Sequence, residues 1–413
     1  MKKEDLIKLK SIVSPTFCMA KFHEATIWLY SGKIASCHHT PLVPIGRTPK
    51  NLFNPLAKRI QQDKMLKGEK PEECNYCWKL EEKNLKSDRE FKSLHFKDSL
   101  PAQNYLDRKF DFKPKALELA FSNVCNLACS YCSPSFSTEW INDIKQYGMY
   151  KTSNSDIRSH YSRGIDDNKP VDMNLFWSWF EDIATELESI RITGGEPLLH
   201  EETFETFAKM KTVNPKVECV VHTNLCQKPK IIDRFVNSVN YFDNVRINVS
   251  NESAGYVAEF IRDGMIYSEW LENLQKICKK TKATVSVSTT ITALCLISLD
   301  ELFLDIFHIR NKLENKPYVS INFATYPVFQ SISCLSKLER SFYMAKYQNF
   351  YKIHEEKFLD LEKTAFERLI KMLDPSLVDP KQPKIRKDFE IFFKQYIERR
   401  NKEKNITELL GIK

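Results

Sequence analysis

The chain has 413 residues, of which 42% are apolar and 28% charged, with a formal net charge of +8. That length buries a substantial core and suits one large domain plus a smaller one, while the mixed signs of the charges give no argument for a nucleic-acid partner. No stretch of about 18 apolar residues exists to span a bilayer, the start Met1-Lys-Lys-Glu-Asp-Leu-Ile-Lys-Leu-Lys lacks the apolar core of a secretory signal, and twelve cysteines in such a chain point to a reducing compartment, the cytoplasm.

The first hundred residues contain Cys18, Cys37, Cys74 and Cys77. Phe22 to Tyr30 reads as a strand, Ser31-Gly32 as a tight turn and Lys33 to Ser36 as the returning strand. That hairpin brings two cysteines to one side of a metal, and a short helix near Asn54 to Lys67 delivers the pair in Cys74-Asn-Tyr-Cys77. Four thiolates of this kind suit an iron-sulfur cluster or a structural zinc ion. His38 and His39, beside Cys37, are alternative ligands or ordinary surface histidines.

From about residue 115 to 330 the pattern alternates strand and helix, which calls for a parallel sheet. The expected strands are Ala116 to Phe121, Ser189 to Thr193, Lys216 to His222, Asn244 to Val249, Thr284 to Ile291 and Tyr318 to Ala324. Between them, runs such as Glu202 to Met210 and Asp300 to Phe307 repeat apolar residues at helical spacing. Lys145 to Pro170 is polar and aperiodic, a long loop or lid. After residue 335 the sequence turns helical and charged; Phe389, Phe392, Phe393 and Ile397 share one face of a last helix, for docking on the core or, through its basic side, on a partner.

Two motifs within the alternating region carry chemistry. In Phe121-Ser-Asn-Val-Cys-Asn-Leu-Ala-Cys-Ser-Tyr-Cys132, three cysteines follow a strand with no histidine beside them, so a cubane cluster held there has three thiolates and one open iron. One βα unit later, the strand Ser189 to Thr193 ends in Gly194-Gly195-Glu196-Pro197. Glycines let backbone approach a ligand closely, and a carboxylate accepts hydrogen bonds from an ammonium group. Alone, the second motif is a plain strand-to-helix turn; in this order the two reinforce each other.

Together they resemble the signature of the radical S-adenosylmethionine (SAM) superfamily. The N-terminal cysteines resemble the twitch module, a shortened SPASM module that holds an auxiliary 4Fe-4S cluster; here it precedes the barrel. The resemblance implies an α/β fold, a partial (βα)6 TIM-like barrel at 101–335, with a small N-terminal Cys-rich β-hairpin and helix module at 1–100 and a C-terminal helical extension at 336–413. It implies one 4Fe-4S cluster on Cys125, Cys129 and Cys132 that binds SAM, and a second on Cys18, Cys37, Cys74 and Cys77. Seven thiolates and two clusters of 2+ core charge bring the net charge to about +5.

Barrel ligands sit at the C-terminal ends of strands. By resemblance, SAM-binding roles pass to Gly194, Gly195 and Glu196, and to Asn224 and Ser250, which leave the third and fourth strands. Tyr131 is expected over the adenine. Arg262, in Tyr256-Val-Ala-Glu-Phe-Ile-Arg-Asp-Gly264, is expected either to pair with the SAM carboxylate bidentately or to be a solvated helix arginine. Of the remaining cysteines, Cys219 and Cys278 carry no assigned chemistry, and Cys226, Cys295 and Cys334 follow strand ends, where a thiol gives hydrogen to a radical or is an ordinary buried group.

The implied chemistry is reductive cleavage of SAM to a 5′-deoxyadenosyl radical that abstracts hydrogen from a substrate held away from water. An auxiliary cluster with four protein thiolates relays electrons, which favours oxidation of a small polar metabolite or sugar. A reductant such as flavodoxin or ferredoxin is implied. The alternatives are a peptide-modifying maturase acting on a ribosomally made peptide and a non-enzymatic zinc protein that binds RNA or a protein partner. No membrane partner is expected.

Overall fold

All six strands expected between residues 115 and 330 form, each within two residues of its expected start. The computed structural model describes residues 2–96, 101–107, 112–153 and 169–402; most of the lid expected at 145–170 lies outside them. In chain order the strands are β1 (Glu24–Trp28), β2 (Lys33–Ala35), β3 (Val43–Pro44), β4 (Ala116–Ala120), β5 (Ala128–Cys129), β6 (Ser189–Thr193), β7 (Glu218–Thr223), β8 (Asn244–Ser250), β9 (Arg262–Asp263), β10 (Thr284–Ile291) and β11 (Tyr318–Phe323). Helices fill the intervals, giving an α/β fold with mostly parallel strand pairing. No helix among the described residues is long and apolar enough to cross a membrane.

The chain divides into two compact units. The first comprises Met1–Ser122, Asp167–Val220 and Tyr241–Asn244; the second comprises Asn123–Asp166, Val221–Asn240 and Val245–Lys413, so the division falls within β7.

In the first unit the strand order is β7-β6-β4-β1-β2-β3. β4 pairs in parallel with β6, Leu119 opposite Ile192, and with β1, Leu119 opposite Ile27. The N-terminal hairpin therefore continues a parallel sheet through its first strand, while β1 and β2 pair antiparallel. Gly32 makes the turn at φ +61°, and a Cβ there would lie 2.2 Å from the Lys169 carbonyl oxygen. The first strand starts later than its apolar run suggests, because Met19–His23 is a helix. Phe22 in that helix is fully buried and packs its ring against Phe17, Tyr105 and Phe112, burial that outweighs its strand propensity.

In the second unit the order is β11-β10-β8-β7. β10 pairs in parallel with β8 and β11. Ile247, Val249, Val285, Val287, Val319 and Ile321 alternate with polar residues and are buried, as period-two side chains on a covered sheet face must be. The C-terminal region forms helices Lys337–His354, Asp360–Met372 and Gln382–Arg400. The first opens on a capping box between Ser336 and Glu339. In the second, buried Glu362 pairs with Arg310 and accepts from the Val319 amide at 2.6 Å, tying that helix to β11. Phe389, Phe392, Phe393 and Ile397 on the last helix are buried. Their face packs into the core; Phe392 meets Trp140 and Tyr150, and Phe393 meets Phe260.

Candidate functional site

The three-cysteine loop lies in the second unit, and its backbone is held from several directions. β5 pairs antiparallel with β9, Cys129 opposite Arg262 and Ala128 opposite Asp263. Gly264, at φ +98°, turns the chain where a Cβ would lie 2.8 Å from the Asn126 carbonyl oxygen, a position only glycine fills without strain. Trp140 Nε1 donates to the Cys129 carbonyl at 2.9 Å, Ser137 Oγ to Leu127 at 2.7 Å, and Tyr396 OH to Ala128 at 3.2 Å. Ser130 and Gln330 exchange two bonds, of 2.9 and 2.6 Å. Cys129 is buried, while Cys125 and Cys132 are partly exposed. Burial pushes the Cys129 thiol up to about 11 and the Cys132 thiol to about 12; coordination to iron deprotonates such a thiol outright.

Asn224, expected at the site, stands beside Cys125. Its Nδ2 donates to the Cys125 sulfur at 3.7 Å and to Asn126 Oδ1 at 3.0 Å, and its Oδ1 accepts from the Cys226 amide at 2.8 Å. Asn126 in turn donates to the Cys226 carbonyl at 2.7 Å. Ser250 is half-buried at the end of β8, opposite Ser288 of β10.

Arg262 and Tyr131 meet at a group that sequence reasoning missed, Glu252. Arg262 donates from Nε to Glu252 Oε2 at 2.8 Å and from Nη2 to Oε1 at 2.6 Å. Its Nη2 also donates to Tyr131 OH at 2.7 Å, and Tyr131 OH donates to Glu252 Oε1 at 2.7 Å. Its Nη1 reaches the Cys129 sulfur at 3.6 Å. The guanidinium is buried, not solvated, and its bidentate face is taken by Glu252. Burial opposes the charge on Arg262, yet Glu252 holds it well above the ordinary range. Glu252 lies two residues beyond Ser250, the last residue of β8, and that place just past a strand end is the signal that identifies it.

One face of the second unit's strands is polar throughout. Asn248 stands opposite Ser286, Ser250 opposite Ser288, Ser288 opposite Ser320 and Thr290 opposite Asn322. Asn248 Nδ2 lies 3.0 Å from His222 Nε2. Ser286 Oγ and, just beyond β8, Asn251 Nδ2 are buried without a hydrogen-bond partner among the described residues.

The Gly-Gly-Glu-Pro turn lies in the first unit at the end of β6. Gly194 has φ +126°, and a Cβ there would lie 2.7 Å from the Ser122 carbonyl oxygen, to which Gly195 N donates at 2.9 Å. Glu196 is fully buried and accepts from the Leu198 amide at 3.1 Å. On the neighbouring strands, Glu118 accepts from Arg191 and from Thr193, each at 3.2 Å.

The four N-terminal cysteines, also in the first unit, line one cavity. Cys18 precedes the helix Met19–His23, Cys37 follows β2, Cys74 ends the 3-10 turn Glu72–Cys74, and Cys77 sits in the helix Asn75–Glu81. Burial, then the neighbouring Cys37, pushes the Cys18 thiol up to about 12. Burial also raises Cys74 and Cys77. His39 lines the cavity but gives its Nε2 to Asp88 at 2.6 Å and stacks on Tyr76, while His38 lies toward Glu118 and Arg191. Among the described residues, no three Cys, His, Asp or Glu side chains converge on single-ion geometry. Zinc needs four ligands about 2.3 Å from one point; a cubane spreads its thiolates over separate irons. The cavity brings together four thiols, the number of protein donors that a fully ligated cubane takes.

Of the remaining cysteines, Cys219, Cys278, Cys295 and Cys334 are buried, and burial pushes each up to about 12. Cys226 is partly exposed, beside Asn224.

Residues 119–302, which take in both motifs, match the family described as the Radical SAM superfamily. This chain carries a radical SAM domain. No curated protein matches it. Among solved structures the chain is similar to Streptococcus suis SuiB bound to S-adenosylmethionine, at 13% identity and a TM-score of 0.40, over 81% of this chain and 70% of that one. It is likewise similar to SuiB bound to the precursor peptide SuiA, at 13% identity and a TM-score of 0.37, over 81% and 70%. The radical SAM domain implies an enzyme with a 4Fe-4S cluster and SAM.

Proposed function

We propose that this radical SAM enzyme oxidises a small polar substrate, with a second 4Fe-4S cluster in the N-terminal cavity as electron relay. The observation that carries the reading is the meeting of Cys18, Cys37, Cys74 and Cys77 around one cavity, although more than fifty residues separate the first from the last. A cluster on Cys125, Cys129 and Cys132 supplies, when bound, the electron that cleaves SAM to methionine and a 5′-deoxyadenosyl radical.

The chain's own residues do the rest. Asn224 and Asn126 orient Cys125, and the pair of Arg262 with Glu252 fixes the loop around Cys129. Arg262 and Tyr131 are thus positioning residues in this reading, leaving Asn224 and Ser250 as the polar groups for SAM. Gly194, Gly195 and Glu196 keep the role of receiving the methionyl amine. The half-buried face bearing His222, Asn248, Ser250, Ser288 and Thr290 supports a hydroxyl-rich substrate, since an apolar one would cut these polar groups off from water without offering them hydrogen bonds.

Incubating the anaerobically reconstituted, reduced chain with SAM and site-deuterated polyols, nucleosides or peptides tests this. Deuterium transfer from a polyol or nucleoside into 5′-deoxyadenosine supports the proposal. Transfer from peptides alone replaces it with the maturase reading.

A further inference from the structure

We propose that Lys21 is the counter-charge of the four-cysteine centre and raises its reduction potential; this rests on the auxiliary-cluster reading above. Lys21 is 2% exposed and lines the same cavity as the four thiols. Its ammonium donates to the neutral amide of Gln61 at 2.6 Å, and Gln62 Nε2 holds its carbonyl at 3.0 Å, so the helix Leu56–Leu66 fixes the residue at both ends.

The other cations in the cavity wall are paired with carboxylates. Arg89 bonds Glu81 at 2.9 and 2.6 Å, and Lys92 bonds Glu24. No carboxylate pairs with Lys21 among the described residues. A buried ammonium with only a neutral partner is costly unless negative charge lies close by. Four thiolates around a 2+ core supply that charge.

Reduction adds one more negative charge beside a fixed cation, so Lys21 favours the reduced state more than the oxidised one. Its place in the cavity makes the centre a better electron acceptor, as a substrate-oxidising enzyme requires.

The test uses the full chain carrying Cys125→Ala, Cys129→Ala and Cys132→Ala, so that the N-terminal centre is the sole cluster, in a redox titration read by electron paramagnetic resonance. At the potential where half the parent centre is reduced, Lys21→Met is expected to lower the reduced-to-oxidised ratio at least tenfold, about 59 mV for a one-electron couple. Lys21→Arg is expected to restore it to within about threefold of the parent. Loss of the centre in Lys21→Met but not in Lys21→Arg also supports a charge role. An unchanged ratio, or loss of the centre in both variants, overturns it. A parent without any iron-sulfur centre refutes the auxiliary-cluster reading itself.

Discussion

Arg262 grips Glu252 through two parallel bonds, Nε to Oε2 at 2.8 Å and Nη2 to Oε1 at 2.6 Å, in a pair that is almost wholly buried. Because Arg262 also lies opposite Cys129 in the β5–β9 ladder, the ion pair is a brace for the cysteine loop. Removing one partner strands the other charge in a dry site, which costs about 3–5 kcal/mol. Glu252→Gln is therefore expected to lower the thermal midpoint clearly and to cut 5′-deoxyadenosine formation. Calorimetry beside a cleavage assay checks it; a stable, fully active variant would show the pair to be dispensable.

Gly194 occupies φ +126° with the Ser122 carbonyl oxygen 2.7 Å from where a Cβ would be. Gly194→Ala must move that carbonyl or the turn, at a cost of about 1–3 kcal/mol. Denaturant unfolding is expected to show the loss, together with weaker SAM binding by calorimetric titration.

His23 provides a pH signature of folding. Burial pushes its imidazole down to about 4, where Nδ1 donates to the Lys113 carbonyl at 3.3 Å and Nε2 accepts from Tyr105 OH at 2.8 Å. The unfolded chain binds this proton near 6.5, so between about 6.5 and 4 the unfolded state holds more protons. Its contribution is whole above pH 6.5 and is lost as pH falls toward 4, about 3 kcal/mol in all. Urea unfolding across that window is expected to show His23→Gln with a flatter pH dependence than the parent; parallel profiles would contradict this.

Tyr396 OH reaches the carbonyls of Ala128 and Phe260, both at 3.2 Å. Tyr396→Phe leaves these carbonyls short of a donor, worth about 1 kcal/mol. The expected result is a modestly less stable protein whose reconstituted cluster bleaches faster in air, followed by absorbance.

Much of this was legible in the sequence, for local reasons. The strands Ser189–Thr193 and Thr284–Ile291 appear with their expected bounds, and the other four near theirs, because β-branched and apolar runs bounded by turn residues carry their own signal. The cysteine motifs are local too. What stayed hidden depends on distant partners: the parallel pairing of β1 with β4, the helical turn that claims Phe22, and the brace from Glu252 to Arg262. For Arg262 the sequence offered a bidentate carboxylate partner or a solvated guanidinium; the carboxylate it meets is the protein's own Glu252. Nothing in the run around Tyr396 announces that its hydroxyl reaches the backbone beside Cys129.

We propose that three thiolates hold a cluster which cleaves SAM while four others hold a second one. The most direct measurement is iron and sulfide content together with 5′-deoxyadenosine formation, in the reduced parent, the Cys125→Ala/Cys129→Ala/Cys132→Ala chain and the Cys74→Ala/Cys77→Ala chain. About eight irons and active cleavage are expected in the parent, about four irons and no cleavage in the first variant, and about four irons with cleavage retained but no oxidised product in the second. A colourless parent holding zinc, or cleavage that survives loss of the three loop cysteines, would contradict it.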